Sequence, residues 1–357
     1  MTTPIDRPRE LIPRGALILV VLAAGFVVVF GLRLVSGLVA PAFLALVLTI
    51  AASPIRDLIT RRGAPYWVGT IAAALTVYIG MLTLVVLLVV SAAELAGLLP
   101  QYASSLDSLL DGVKGWLAGF GVQQEQVSAL TSSLDLGKVG QFITGLLGGI
   151  ASMATSLLFV LALILFTFVD ARGFSEWLGA ISAERPAFVE AMSRFTTGTR
   201  RYLIVTTVFG AIVAALDTVF LWAVGVPGAL LWGLLAFITN YIPNIGFLIG
   251  LIPPALLGLL SGGWGLFIAV VVVYSVLNVV IQSLIQPKLV GDAVGLSATI
   301  TFLSLVVWAL LLGGLGAVLA VPLTLLVKAL LVDVDPRSRW VGGLLGDRST
   351  TVPTEPA

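Results

Sequence analysis

Residues 230–260 read LLWGLLAFITNYIPNIGFLIGLIPPALLGLL, an almost wholly apolar run of 31 residues without a charged side chain. As one straight helix this run would extend roughly 46 Å, whereas the hydrocarbon core of a bilayer is roughly 30 Å thick. Pro243 lacks an N–H and clashes with the preceding helical turn, and Gly246 frees the backbone. The sequence therefore predicts a break at 240–246 between two half-helices, either as one kinked crossing or as a re-entrant hairpin.

The rest of the chain has the same apolar character. Hydrophobic residues make up 59% of its 357 residues and charged residues 10%, whereas soluble domains are about 45–50% apolar and roughly 25% charged. Because water cannot solvate such a chain, we expect its solvent to be the lipid bilayer. Seven further apolar runs are long enough to be spans: 15–32, 34–52, 66–93, 142–169, 202–224, 265–285 and 298–332, the last with bends at Gly313 and Pro322. The predicted fold is an all-α, polytopic transmembrane helix bundle of about eight spans.

Basic residues indicate how the chain is oriented. Eleven Lys and Arg residues lie in the N-terminal tail, in 53–65 and in 170–201, against three on the other side of the predicted bundle. Cytoplasmic loops of membrane proteins carry such an excess. The sequence thus predicts a cytoplasmic tail at 1–14, a permease domain at 15–332 and a polar tail at 333–357 that we expect to be disordered.

One insertion, 94–141, is amphipathic rather than continuously apolar. Leu99, Leu106, Val113 and Phe120 recur every seven residues, which is the spacing of a coiled-coil seam. The charge bias places this segment outside the cytoplasm. Two interpretations remain open: self-association into a homo-oligomer, or contact with the outer surface of the membrane lipid.

Residue types that are missing from the chain exclude several classes of function. The sequence has no Cys and no His, which removes thiol nucleophiles, Ser–His–Asp catalysis and Cys/His zinc sites. It has no glycine-rich nucleotide motif, and its net charge of +1 gives no reason to expect nucleic acid as a partner. We therefore expect no enzyme activity, no cofactor and no metal site.

Polar residues within the apolar runs are the candidate binding groups. Unwound backbone at membrane depth is tolerated where protein or water covers it, and transporters use such breaks to bind substrate. The candidate substrate-binding residues are Asn240, Pro243, Asn244 and Gly246 at the break, and Asn278 and Gln282, which share one helix face. The competing interpretations are a proline kink and ordinary interhelical hydrogen bonds.

Asp217 is a separate candidate, because it lies inside the apolar run 202–224. An intramembrane carboxylate is costly and points to a function such as binding a sodium ion or a proton. The alternative is an aspartate near enough to the interface to stay hydrated. We treat Asp217 as the candidate residue for a coupling ion.

The C-terminal third resembles the autoinducer-2 exporter family of bacterial membrane proteins. The resemblance is carried by Gly225-Val-Pro227, Asn240-Tyr-Ile-Pro-Asn-Ile-Gly246, Pro253-Pro254, Gln286-Pro-Lys-Leu-Val-Gly291 and Leu319-Ala-Val-Pro-Leu323. It covers roughly residues 15–332 and is strongest from 225 onward. It implies a multi-pass permease of the bacterial inner membrane, and members are described as exporters of autoinducer-2 or as sodium/proton antiporters. Asp217 departs from the family pattern, since its helix is expected to be apolar.

These observations together predict a transporter of a small polar solute such as autoinducer-2, working by alternating access and coupled to an ion gradient. A monovalent cation/proton antiporter centred on Asp217 is the alternative within transport. A membrane scaffold whose working part is 94–141 is the alternative from another class.

Overall fold

The structure of the protein is a computed structural model that describes residues 14–98, 136–243, 245–286, 295–335 and 342. Every regular element within those ranges is helical, which confirms the predicted all-α class. The helices are α1 (Arg14–Leu34), α2 (Ser36–Arg61), α3 (Tyr66–Leu98), α4 (Leu136–Ala180), α5 (Pro186–Ala223), α6 (Ala229–Thr239), α7 (Gly246–Asn278), α8 (Ala298–Val318) and α9 (Ala320–Lys328). Two π-helical turns, Val279–Ile285 and Ala329–Asp333, continue α7 and α9.

Six of the described helical segments are long and apolar enough to cross a membrane, and two shorter apolar helices accompany them. The chain is therefore a multi-span membrane protein, as its composition predicts. The heptad positions from Leu99 to Phe120 lie outside the described residues. Both interpretations of the 94–141 insertion thus stay predictions.

Helices α2, α3 and α4 pack side by side around small residues. Ala45 of α2 and Ala73 of α3 are fully buried together with Phe168 of α4. Small side chains let membrane helices approach closely, and dispersion contacts then hold them.

The second apolar run, 34–52, predicts a span that ends before Ser53-Pro54, but the helix is longer. Helix α2 continues through Pro54 to Arg61. Pro54 has no N–H to give to the carbonyl of Ile50, but the Ser53 hydroxyl donates to that carbonyl at 2.8 Å. A neighbouring side chain thus satisfies the backbone group that the proline leaves free, so the helix does not end.

Helices α5, α6 and the start of α7 show whether the 230–260 run is one kinked crossing or a re-entrant hairpin. Near the start of α6, Gly233 faces Ala214 and Thr218 of α5. At the C-terminal end of α6, Asn240 faces Gly210, which comes earlier in α5. The two helices are therefore antiparallel. Helix α6 has 11 residues, about 16 Å of helix, which is only half of a bilayer core.

The chain reverses again directly after α6. Gly246 faces the Thr239 carbonyl and Gly250 faces Ala236, so the start of α7 runs back along α6. A kinked continuous helix would instead separate Ala236 and Gly250 by roughly 21 Å. The 230–260 run is thus a helical hairpin with its tip at 240–245, and not a single kinked span.

Helix α7 itself has two arms, 246–262 and 264–278, which meet at Gly263. Gly263 has φ 69° and ψ −164°, a conformation essentially restricted to glycine. A methyl group at Gly258 would lie 3.4 Å from Val270 Cγ2, although 12 residues of straight helix would separate them by roughly 18 Å. The second arm therefore runs antiparallel to the first and returns toward the level of the hairpin tip.

A further reversal divides the last apolar run, for which the sequence predicts one bent span. Gly313 has φ 70° and ψ −149° inside α8. Beyond it, Gly316 packs against the Trp308 carbonyl, and Trp308 Nε1 donates to Thr324 Oγ1 of α9 at 3.0 Å. The run 298–332 is thus a second helical hairpin, because the chain turns back at Gly313 instead of merely bending.

Candidate functional site

The tip of the first hairpin is held against α5 by two tyrosines. The Tyr202 hydroxyl donates to the Tyr241 carbonyl at 3.0 Å, and the Tyr241 hydroxyl lies 2.6 Å from Thr207 Oγ1. Both contacts join residues of the broken backbone to one continuous helix. They fix the depth at which the tip lies along α5.

Three amide side chains meet beside this tip. Asn240 Nδ2 donates to the Thr206 carbonyl of α5 at 3.1 Å. Gln282 Nε2 donates to Asn240 Oδ1 at 2.6 Å and to Asn278 Oδ1 at 2.7 Å. Asn278 Nδ2 in turn donates to the Tyr274 carbonyl at 2.8 Å. We call Asn240, Asn278 and Gln282 the amide cluster; it links α5, the hairpin tip and the end of α7.

The amide cluster keeps unused hydrogen-bonding capacity. Each amide offers two N–H donors and a carbonyl acceptor. Gln282 donates both of its N–H groups to the two asparagines, while its Oε1 accepts no hydrogen bond from any described residue. Gln282 and Asn240 are half-buried, and Asn278 is buried. A solute at this place would meet an acceptor on Gln282 and second N–H groups on the two asparagines.

Local backbone features place these side chains. Gly210 of α5 leaves room for Asn240, since a methyl group there would lie 2.6 Å from Asn240 Nδ2. Asn278 and Gln282 are four residues apart and meet on one face, as their spacing predicts. Gln282 lies in the π-helical turn 279–285, a wider helical turn that frequently marks functional sites.

The other predicted residues of the break differ in what they do. The Pro243 carbonyl accepts a hydrogen bond from Ile245 N at 2.7 Å, so Pro243 shapes the turn. Gly246 packs against the Thr239 carbonyl, where a side chain would not fit. Both residues build the tip that presents the amide cluster. Asn244 lies outside the described residues.

Asp217 lies apart from the amide cluster. It is 11 residues beyond Thr206 on α5, about 16 Å along the helix axis. Its side chain is fully buried, and neither carboxyl oxygen has a hydrogen-bond partner among the described residues. The alternative of a hydrated aspartate near the interface does not fit this burial.

Tyr274 lies on the second arm of α7, which packs against α5. It is 1% exposed, its hydroxyl has no hydrogen-bond partner among the described residues, and it belongs to the same apolar cluster as Leu221, one helical turn beyond Asp217. Tyr274 was not among the candidate residues predicted from the sequence. The available signal was a single tyrosine in an apolar run, one helical turn before Asn278.

The sequence does not identify the Thr206 carbonyl or Gly210 as parts of the site. Every residue of a membrane span has a backbone carbonyl, and one helical glycine cannot be told from another by sequence. No group of three or more acidic, His or Cys side chains within the described ranges could hold a metal ion. The arrangement therefore offers neutral amide groups at one level of α5 and one isolated carboxyl group at another.

The chain is similar in sequence to bacterial transport proteins. The family model described as "AI-2E family transporter" matches residues 17–334. A putative transport protein of Haemophilus influenzae is 28% identical over 331 residues, which is 91% of this chain and 95% of the relative. The "AI-2 transport protein TqsA" of Escherichia coli is 28% identical over 314 residues, 88% of this chain and 91% of the relative. A putative transport protein of Mycobacterium tuberculosis is 28% identical over 317 residues, 85% of each chain. The family that the sequence resembles is thus confirmed, and this chain belongs to the AI-2E family of transporters.

Proposed function

We propose that this protein moves a small polar solute across the bacterial inner membrane by alternating access, and that the amide cluster binds the solute. The observation that carries the proposal is the meeting of Asn240, Asn278 and Gln282 beside a broken helix. Broken helices in transporters place backbone and side-chain polar groups at the substrate. The positive-inside bias of the sequence supports a cytoplasmic N-terminus.

The chemistry of the cluster favours an uncharged, hydroxyl-rich solute. Amides both donate and accept hydrogen bonds, as hydroxyl groups do, and they carry no charge that would select an ion. Autoinducer-2 is the first solute to test, because one relative is named as an AI-2 transport protein.

The two hairpins supply the moving parts for alternating access. The tip of the first hairpin, through Ile242 and Ile245, packs against Leu305 of α8 and Ala317 beyond the Gly313 turn. These contacts between the two hairpins are apolar, whereas the hydrogen bonds of the described tip to Tyr202 and Thr206 join it to α5. Separation of one hairpin from the other would open a route to the amide cluster from one side at a time.

Transport by purified protein in liposomes tests the proposal. Asn240→Ala and Gln282→Ala each remove groups that would bind solute, so apparent affinity should fall about 2–10-fold for each hydrogen bond of about 0.5–1.5 kcal/mol. Ser283→Ala is the matched control, since Ser283 neighbours Gln282 but is exposed. Wild-type rates and affinities in both amide variants would remove the cluster from the binding site.

A sodium/proton antiporter is the second candidate, and the buried carboxyl group of Asp217 favours it as a proton-binding group. The same liposomes, given a sodium or pH gradient without organic solute, distinguish the two. Ion exchange without solute would favour the antiporter, and solute flux that depends on Asn240 would favour the proposed function. A membrane scaffold would show neither flux.

A further inference from the structure

Asp217 and Tyr274 are two further buried polar residues that the amide cluster does not use; their helices pack together, and Tyr274 shares an apolar cluster with Leu221, one helical turn beyond Asp217. Asp217 projects from α5 and Tyr274 from the second arm of α7, and both are at most 1% exposed. Neither the carboxyl oxygens nor the tyrosine hydroxyl has a hydrogen-bond partner within the described residues. Unpaired buried polar groups are costly, and they persist where function requires them.

Among the described residues, Asp217 has no hydrogen-bonded charged partner. Helix α6, which contacts α5 most closely, contains no titratable side chain, and Tyr274 is the only one in α7. In α2, Arg56 pairs with Asp57 and Arg61 is exposed, and Lys328 of α9 pairs with Asp333. The charged residues of α5 itself lie 16 or more residues before Asp217: Glu190, Arg194, Arg200 and Arg201. Desolvation makes an ionised, unpaired carboxylate unfavourable in such a place. The neutral, protonated acid avoids this cost.

The backbone around Asp217 does not suit a sodium ion. Sodium sites in transporters draw on carbonyls of unwound helices. Helix α5 is continuous from Pro186 to Ala223, so the carbonyls beside Asp217 are engaged within the helix. The unwound backbone of the hairpin tip packs near Thr206, about 16 Å along α5. Within the described residues, Asp217 thus lacks the unwound backbone carbonyls of such a sodium site, whereas a proton needs only the carboxyl oxygen.

Asp217 and Tyr274 are connected to the amide cluster through the helices that they share with it. Asn278 lies one helical turn from Tyr274 and donates to its carbonyl, and Gln282 lies one further turn along. Thr206, which accepts from Asn240, shares α5 with Asp217. Both polar sites therefore involve α5 and the second arm of α7, and the amide cluster also includes the hairpin tip. Movement of the second arm of α7 away from α5 would open them together.

On this geometry, and resting on the proposed function, we propose that Asp217 and Tyr274 form a proton-binding site that couples proton release to solute transport. With α5 and α7 packed, Asp217 holds a proton on its carboxyl group. When the two helices separate, water reaches the pair and the proton passes from Asp217 to water, leaving a carboxylate near the Tyr274 hydroxyl. No other bond forms or breaks.

Infrared spectroscopy of the purified full-length protein tests the site without any solute. The wild type should show the C=O stretch of a protonated carboxylic acid at neutral pH, and Asp217→Asn should lose it. Asp170→Asn is the matched control, because Asp170 is exposed and its removal should leave the band unchanged. Tyr274→Phe should keep the band to higher pH, since the carboxylate that forms on proton release can then no longer accept a hydrogen bond from the tyrosine hydroxyl.

The outcomes separate this proposal from the proposed function. An acid band that Asp217→Asn does not remove overturns the proton site, even if autoinducer-2 is transported. A band that disappears on addition of sodium at constant pH also overturns it, in favour of a cation site. If Asp217→Asn fails to fold, Tyr274→Phe decides, and a band with the wild-type pH dependence refutes the pair. In liposomes, Asp217→Asn should abolish the pH dependence of autoinducer-2 flux.

Discussion

Replacing Gly210 by alanine tests whether the position of Asn240 matters for transport. The new methyl group would lie 2.6 Å from Asn240 Nδ2 and 3.2 Å from its Cγ, too close for the side chain to stay. Asn240 would withdraw from the Thr206 carbonyl and from Gln282. At about 0.5–1.5 kcal/mol for each neutral hydrogen bond, the two lost bonds cost about 1–3 kcal/mol.

The same substitution also stabilises the helix. Alanine is favoured over glycine in a helix interior by about 1 kcal/mol, which offsets much of the loss. We therefore expect the melting temperature of Gly210→Ala to change little, while apparent affinity for the transported solute falls about 2–10-fold. Stability and transport should thus respond differently to one methyl group.

Flux in liposomes and thermal unfolding in detergent measure the two effects. Gly198→Ala is the matched control on the same helix, since its methyl group meets Leu325 Cδ1 at 3.4 Å, an ordinary contact. In the Asn240→Ala background, Gly210→Ala should cause no further loss, because both changes act on one side chain. Unchanged affinity in Gly210→Ala, or additive losses in the double variant, would refute the reasoning.

Two further predictions concern the fold. Gly313 has a backbone conformation essentially restricted to glycine, so Gly313→Ala should destabilise the protein by about 1–3 kcal/mol. The control Gly314→Ala should not destabilise it, because Gly314 has no positive φ and a methyl group there meets open space. Equal melting temperatures of the two variants would argue against the reversal at Gly313. Since the chain has no native Cys, a cysteine at Ser105 should react with an impermeant thiol reagent outside intact cells and one at Ser182 only after lysis; the reverse pattern would invert the predicted topology.

The sequence identified the amide residues but not their full arrangement. The i, i+4 spacing of Asn278 and Gln282 placed them on one helix face, because helix geometry is local. Their meeting with Asn240 depends on two chain reversals, at 240–245 and at Gly263. Only the folded chain brings residues 42 positions apart within 2.6 Å.

The sequence by itself determined the solvent, the helical class and the family. Lipid requires backbone groups to be satisfied within the chain, and a composition of 59% hydrophobic residues leaves helices as the way to do so. It also located the break at 240–246, since proline and glycine act on their own backbone. The tertiary structure decided whether apolar runs cross or turn back, because Gly263 and Gly313 resemble any other glycine until their φ angles are known. It alone showed that Asp217 and Tyr274 are both buried, since burial of a side chain depends on which helices pack against it.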